Sequence, residues 1–127
     1  MFPSKTVISV GLDLGARLPG LRSAFQVVQA ATLEELLPAL VERAADVAIV
    51  VYQRREDNTA RCVLETVARH RPQTPVIVLV DQRDMGEYIQ LMWEGAYDYF
   101  ELSSDPRWIE RSLRWAIGTR CCAGAAA

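Results

Sequence analysis

The sequence predicts a single α/β domain: a doubly wound, five-stranded parallel sheet assembled from five strand–helix units, a (βα)5 arrangement. Three observations point there. Short β-branched runs recur along the chain, helical patterns with start signals lie between them, and the strand–helix order repeats five times. The two central runs, "VAIVVY" and "PVIVLV", are continuous rather than alternating, as strands covered by helices on both faces must be.

The elements follow in order. The first strand is read over 6–12, "TVISVGL". The stretch after it, "GLDLGARLPG" (11–20), carries Gly11, Gly15 and Gly20, which is neither the dinucleotide nor the P-loop spacing. A weaker run over 25–30, "FQVVQA", is expected to form an edge strand. "TLEELLPAL" opens a helix with a capping box, Thr32 capping while Glu35 reaches back, and Pro38 is expected to kink or shorten that helix. The third strand covers 47–52, and "RPQTP" (71–75) is a loop leading into the fourth strand at 75–80. In "DMGE", Asp84 and Glu87 repeat the capping arrangement before the fourth helix. The fifth strand spans 97–102, "YDYFEL", and the last helix opens with Asp105 as cap and Pro106 at its first position. The domain is placed at 1–120, with 121–127 as the start of a linker or boundary tail in a protein that continues further.

Bulk properties narrow the classes. In 127 residues, 50% are apolar and 24% charged, enough for one proper core. A net charge of -2 and a pI near 5.4 supply no basic field for nucleic acid. No apolar run approaches the ~20 residues that cross a bilayer, and no basic-then-apolar leader opens the chain, so a cytoplasmic protein without membrane contact is expected. Cys62, Cys121 and Cys122 form no C-x-x-C pattern, and His70, the single histidine, sits between arginines at a helix end. A thiolate–imidazole metal site is therefore not expected. Neither is a Ser/His/acid catalytic set.

Beyond these patterns, "FQVVQAATLEELLPAL", "ADVAIVVY" and "TPVIVLV", with Val80 fifteen residues ahead of Gly95 in "EGAYDYF", resemble one family. It is the CheY-like receiver domain of two-component response regulators, and the resemblance covers roughly residues 5 to 118. It implies flavodoxin-like topology and a phosphoryl site at the carboxyl ends of the strands. In that family an acidic pair holds Mg²⁺, an aspartate accepts the phosphoryl group, and a hydroxyl and a lysine bind its oxygens. Carried over, the acidic pair falls on Gly11 and Leu12, with Asp13 one step late as a lone metal candidate. The acceptor position falls on Val51, the hydroxyl on Val80 and the lysine on Leu102. The resemblance thus implies a receiver lacking the phosphorylation residues: no catalytic residue, no cofactor and no enzyme activity. Two alternatives stay open, an active regulator using Asp13 or Asp81, and a binder of a small molecule in an apolar crevice around Leu12, Val51 and Val80.

Function is then expected on a surface. Family geometry places it on the fourth helix, fifth strand and fifth helix, at Tyr88, Met92, Tyr99, Trp108, Ser112 and Trp115, with Met85 one turn earlier. Ile109, Leu113, Ala116 and Ile117 suit the core-facing stripe of the last helix, leaving Trp108 and Trp115 beside it. A protein partner or a second copy is expected there, controlling an output domain in the full-length protein. Tyr99, the family's switching aromatic, is expected to be fixed, since Val80 removes its usual trigger. Arg107, Arg111, Arg114 and Arg120 read as a solvated helix face rather than a nucleic-acid contact.

Overall fold

The computed structural model describes residues 5–23, 25–42, 46–54 and 57–126, and for 23 and 118–126 the backbone alone. Glu56 and the side chains of Arg120, Cys121 and Cys122 therefore lie outside the described residues. The expected sheet is present. Strands β1 (Lys5–Val10), β2 (Gln26–Ala30), β3 (Asp46–Gln53), β4 (Val76–Val80) and β5 (Asp98–Glu101) are all parallel, in the order β2-β1-β3-β4-β5. Helices α1 (Leu14–Arg17), α2 (Leu33–Glu42), α3 (Thr59–His70), α4 (Met85–Trp93) and α5 (Pro106–Ala126) cover both faces.

Period-two side-chain alternation divides the core in two. Val47, Ile49, Val51, Val76, Val78 and Val80 face one layer with Leu36, Leu40, Val63 and Leu91 from α2, α3 and α4. Ala48, Val50, Ile77 and Leu79 face the other, with Leu14 from α1, Leu18 just after it, and Ile109, Leu113 and Ile117 from α5. That is why the central strands read as unbroken apolar runs. The edge strand β2 instead exposes Gln26 and Gln29, while Ala30 is buried.

Several ends differ from the sequence reading. Strand β1 stops at Val10, because Gly11 adopts φ +82, a left-handed conformation that turns the chain out of the ladder. Helix α1 is a single turn capped by Asp13, and Pro19 and Gly20 divert the chain into a 3-10 turn over Pro19–Ser23. Ahead of α2, the Glu35 carboxylate accepts from the Ala31 N–H at 2.6 Å, one residue before the Thr32 that the capping box designates. Asp84 caps α4 as expected, accepting from the Glu87 N–H at 3.0 Å, and Asp105 accepts from the Arg107 N–H at 2.9 Å ahead of α5. Helix α5 continues through residues 121–126.

Pro38 neither ends nor shortens α2, which runs four residues past it to Glu42. Pro38 is exposed, so its ring meets water instead of a packed neighbour. It still withholds the N–H that would bond the Glu34 carbonyl. Pro38→Ala should therefore raise stability by about 1–2 kcal/mol, the helix gain less the lost rigidity of the unfolded chain. A higher midpoint in urea at unchanged slope is the expected reading.

Candidate functional site

The carboxyl ends of the strands, where open α/β sheets carry their chemistry, form one rim. Register decides which residues stand level there. Val10 pairs with Val51, Val51 with Val78, Gln53 with Val80, and Val80 with Glu101. Val51 is thus two residues inside the rim and fully buried, and the β3 residue level with Val80 is Gln53. Strand β3 extends one residue past the run 47–52 that its apolar pattern suggests.

Gln53 is 6% exposed, and its amide is engaged at both ends. Oε1 accepts from the Ala60 N–H at 2.8 Å, and Nε2 donates to the Asp57 carbonyl. A carboxylate could make the first bond but not the second, so the site demands an amide. Around it, Val80 is buried, and Leu12 and Leu102 are half-buried against the apolar layer under α1 and α5. The Leu102 N–H donates to the Val80 carbonyl at 2.8 Å. Gly11 is exposed at the turn.

Besides Glu101, level with Val80 and accepting from the Arg83 N–H at 3.3 Å, two carboxylates stand on the rim. Asp13 is exposed and spends Oδ1 on the Ala16 N–H at 3.1 Å. Asp81 accepts from the Tyr52 hydroxyl at 2.6 Å, and that bond is the main cause of an upward shift in the Tyr52 pKa. Both border an open crevice of about 480 Å³ shared with Arg17, Tyr52 and Leu102. Asp46 lies at the opposite end of β3. Among the described residues no three His, Cys, Asp or Glu side chains are grouped to hold a metal ion.

Tyr99 points inward and is 2% exposed. Its hydroxyl donates to Glu87 Oε1 at 2.7 Å and accepts from the Asp84 N–H at 3.2 Å, tying β5 to the first turn of α4. Burial, then the Glu87 bond, raises its pKa to about 12. Tyr88 meets its ring edge-on at 5.5 Å.

The expected surface residues divide. Trp108 and Trp115 are exposed, at 61% and 63%. Ser112 is buried and donates to Asp98 Oδ2 at 2.8 Å, and Tyr99 is buried as described. Tyr88 and Met92 are half-buried against the core, because Leu91 points α4 inward and a 100° step per residue keeps both beside it. The outward stripe of α4 is instead Met85, Ile89 and Trp93, spaced i, i+4, i+8, with Trp93 90% exposed. Of these the sequence reading names Met85 and misses Ile89 and Trp93, though their spacing was visible. Glu94, just after α4, is clamped to α3 by two guanidinium nitrogens of Arg61 at 2.9 and 2.8 Å. That ion pair holds the Glu94 carboxyl below its usual range.

No protein-family model and no curated protein sequence matches the chain. Solved structures do. The beryllofluoride-activated NtrC4 receiver domain dimer is similar at TM-score 0.76 and 15% identity, covering 92% of this chain and 98% of that one. A response regulator receiver domain from Clostridium thermocellum gives 0.74 at 17% identity, over 94% and 98%. NtrX from Brucella abortus, in complex with ADP, gives 0.74 at 17% identity over 95% of this chain, which spans 28% of that longer one. The fold is the CheY-like receiver fold. Identities this low establish the architecture and leave the activity to the site.

The Tyr99 environment has a pH signature. Its folded pKa lies above the unfolded value of 10.0, so its contribution to stability is complete below pH 10 and is lost as pH rises through about 12. Ultraviolet titration should show a late tyrosinate step near pH 12 that Tyr99→Phe removes. The same variant should unfold about 1 kcal/mol more easily at neutral pH, leaving Glu87 without its buried donor.

Proposed function

We propose that this chain is a receiver-like signalling module that works without phosphoryl transfer, through protein contacts made by α4, β5 and α5. The observation that carries the reading is Val51, fully buried hydrocarbon at the position where the resemblance puts the acceptor carboxylate, with Gln53 beyond it an amide engaged at both ends. A phosphoryl site of this kind also takes a divalent cation, which wants several oxygen ligands and carboxylate charge. The residues here do not fit it. Asp13 is a lone carboxylate already capping a helix turn, and Leu12, Val80 and Leu102 present hydrocarbon where charge would need stabilising.

Support for a contact surface comes from exposure. Exposed apolar residues are Met85, Ile89 and Trp93 on α4, Tyr97 just before β5, and Trp108 and Trp115 on α5. Exposed aromatic and Met side chains favour a protein partner, and Trp is prominent among residues that dominate interfaces. The NtrC4 receiver of the same fold is a dimer, which favours a second copy here. The length of NtrX beyond its matching part favours an output segment carried elsewhere in a longer protein.

Incubation with Mg²⁺ and acetyl phosphate should leave the mass unchanged, and beryllofluoride should leave the amide spectrum at Gln53, Val80 and Leu102 unchanged. An adduct that Asp13→Asn or Asp81→Asn abolishes would overturn the reading in favour of an active regulator. For the surface, the pair Trp93→Glu and Trp108→Glu should weaken self-association at least about tenfold in sedimentation. Both sites are exposed, so stability should move by no more than about 0.5 kcal/mol.

A further inference from the structure

We propose that the cavity between α1 and α5 binds a small amphipathic monocarboxylate, with an apolar chain or ring inside and its carboxylate on Arg17. The site goes beyond the signalling reading and does not depend on it. The cavity holds about 180 Å³. Leu14, Leu18, Leu79, Leu102 and Ile109 form its walls. Four of these are buried members of the α1–α5 layer, so packing fixes the walls independently of any guest. A cavity of about 150 Å³ lined by such side chains stays dry and accepts a benzene-sized guest. The space here therefore suits a ring or chain of about six carbons. Leu102 is what makes the rimward wall apolar; a charged side chain at that position would close the site to hydrocarbon.

The polar members set the head group. Arg17 and Ser104 are the polar side chains of the lining. Among the described residues no carboxylate pairs with Arg17, whereas Arg61, Arg107 and Arg114 each hold an ion pair. Arg17 and Leu102 also border the neighbouring crevice, so the cavity meets solvent there. The acids of that crevice, Asp13 and Asp81, do not line the cavity, and Asp81 already accepts from Tyr52. A guanidinium at the mouth of a hydrocarbon slot selects an anion over a neutral or cationic head.

The test is an amide NMR titration of the full chain with hexanoate, hexanol and hexylamine. Saturable shifts confined to Leu14, Leu18, Leu79, Leu102 and Ile109 are expected, with hexanoate about tenfold tighter than hexanol and hexylamine weakest. Arg17→Gln, an exposed change that should leave folding intact, should bring hexanoate to the level of hexanol without altering hexanol. Leu18→Phe, which fills the slot, should abolish both. Absence of saturable shifts at millimolar hexanoate, shifts located elsewhere, hexylamine binding as tightly as hexanoate, or an Arg17→Gln variant equal to the parent would each overturn the proposal.

Discussion

Burial of β3 and β4 on both faces is the constraint from which the rest follows. A strand packed between two helical layers has no solvent side, so every side chain from Val47 to Val51 and from Val76 to Val80 must be apolar or fully hydrogen-bonded. In this chain the requirement extends to the rim itself. Val80 satisfies it with hydrocarbon, and Gln53 satisfies it with an amide whose donor and acceptor are both matched. The last turn before α3 is then held by side-chain bonds that a carboxylate at Gln53 could not reproduce. The amide at the end of β3 and order in the following loop are one arrangement.

The same closure bears on α4. Its first turn is anchored by Asp84 capping, by the Asp84 N–H on the Tyr99 hydroxyl, and by Glu87 accepting from that hydroxyl. Its far end is clamped to α3 through Arg61 and Glu94. The clamp is solvent-facing and worth little by itself, whereas the Tyr99 bonds are shielded and depend on the ring staying inside. With both ends tied, the stripe Met85, Ile89 and Trp93 is presented in one orientation.

Much of the fold was legible because hydrophobic pattern and cap chemistry agree. The β-branched runs locate all five strands, and Asp84 and Asp105 locate two helix starts to the residue. What escaped depended on partners distant in sequence or on a single dihedral. Gln53, just past the apolar run, looks like loop, and pairing with Val80 on β4 makes it strand. Gly11 gives no local sign that it will adopt a positive φ and end β1 early. On α4, where the resemblance sends Tyr88 and Met92 outward, both are half-buried beside Leu91, and Ile89 and Trp93 are the more exposed. Ser112 shows the reverse error, a polar residue drawn inside because Asp98 on β5 needs its hydroxyl.

A face held in one arrangement has a thermodynamic consequence. A partner that binds a minor conformer loses affinity in proportion to that conformer's population, and an external input must supply the difference. Here the bonds that set the orientation of α4 are made by Asp84, Glu87, Tyr99, Arg61 and Glu94. Under the proposed function the surface needs no input to become competent. Regulation would then act through the concentration of the partner, or through another segment covering Trp93 and Trp108, rather than through chemistry at the rim.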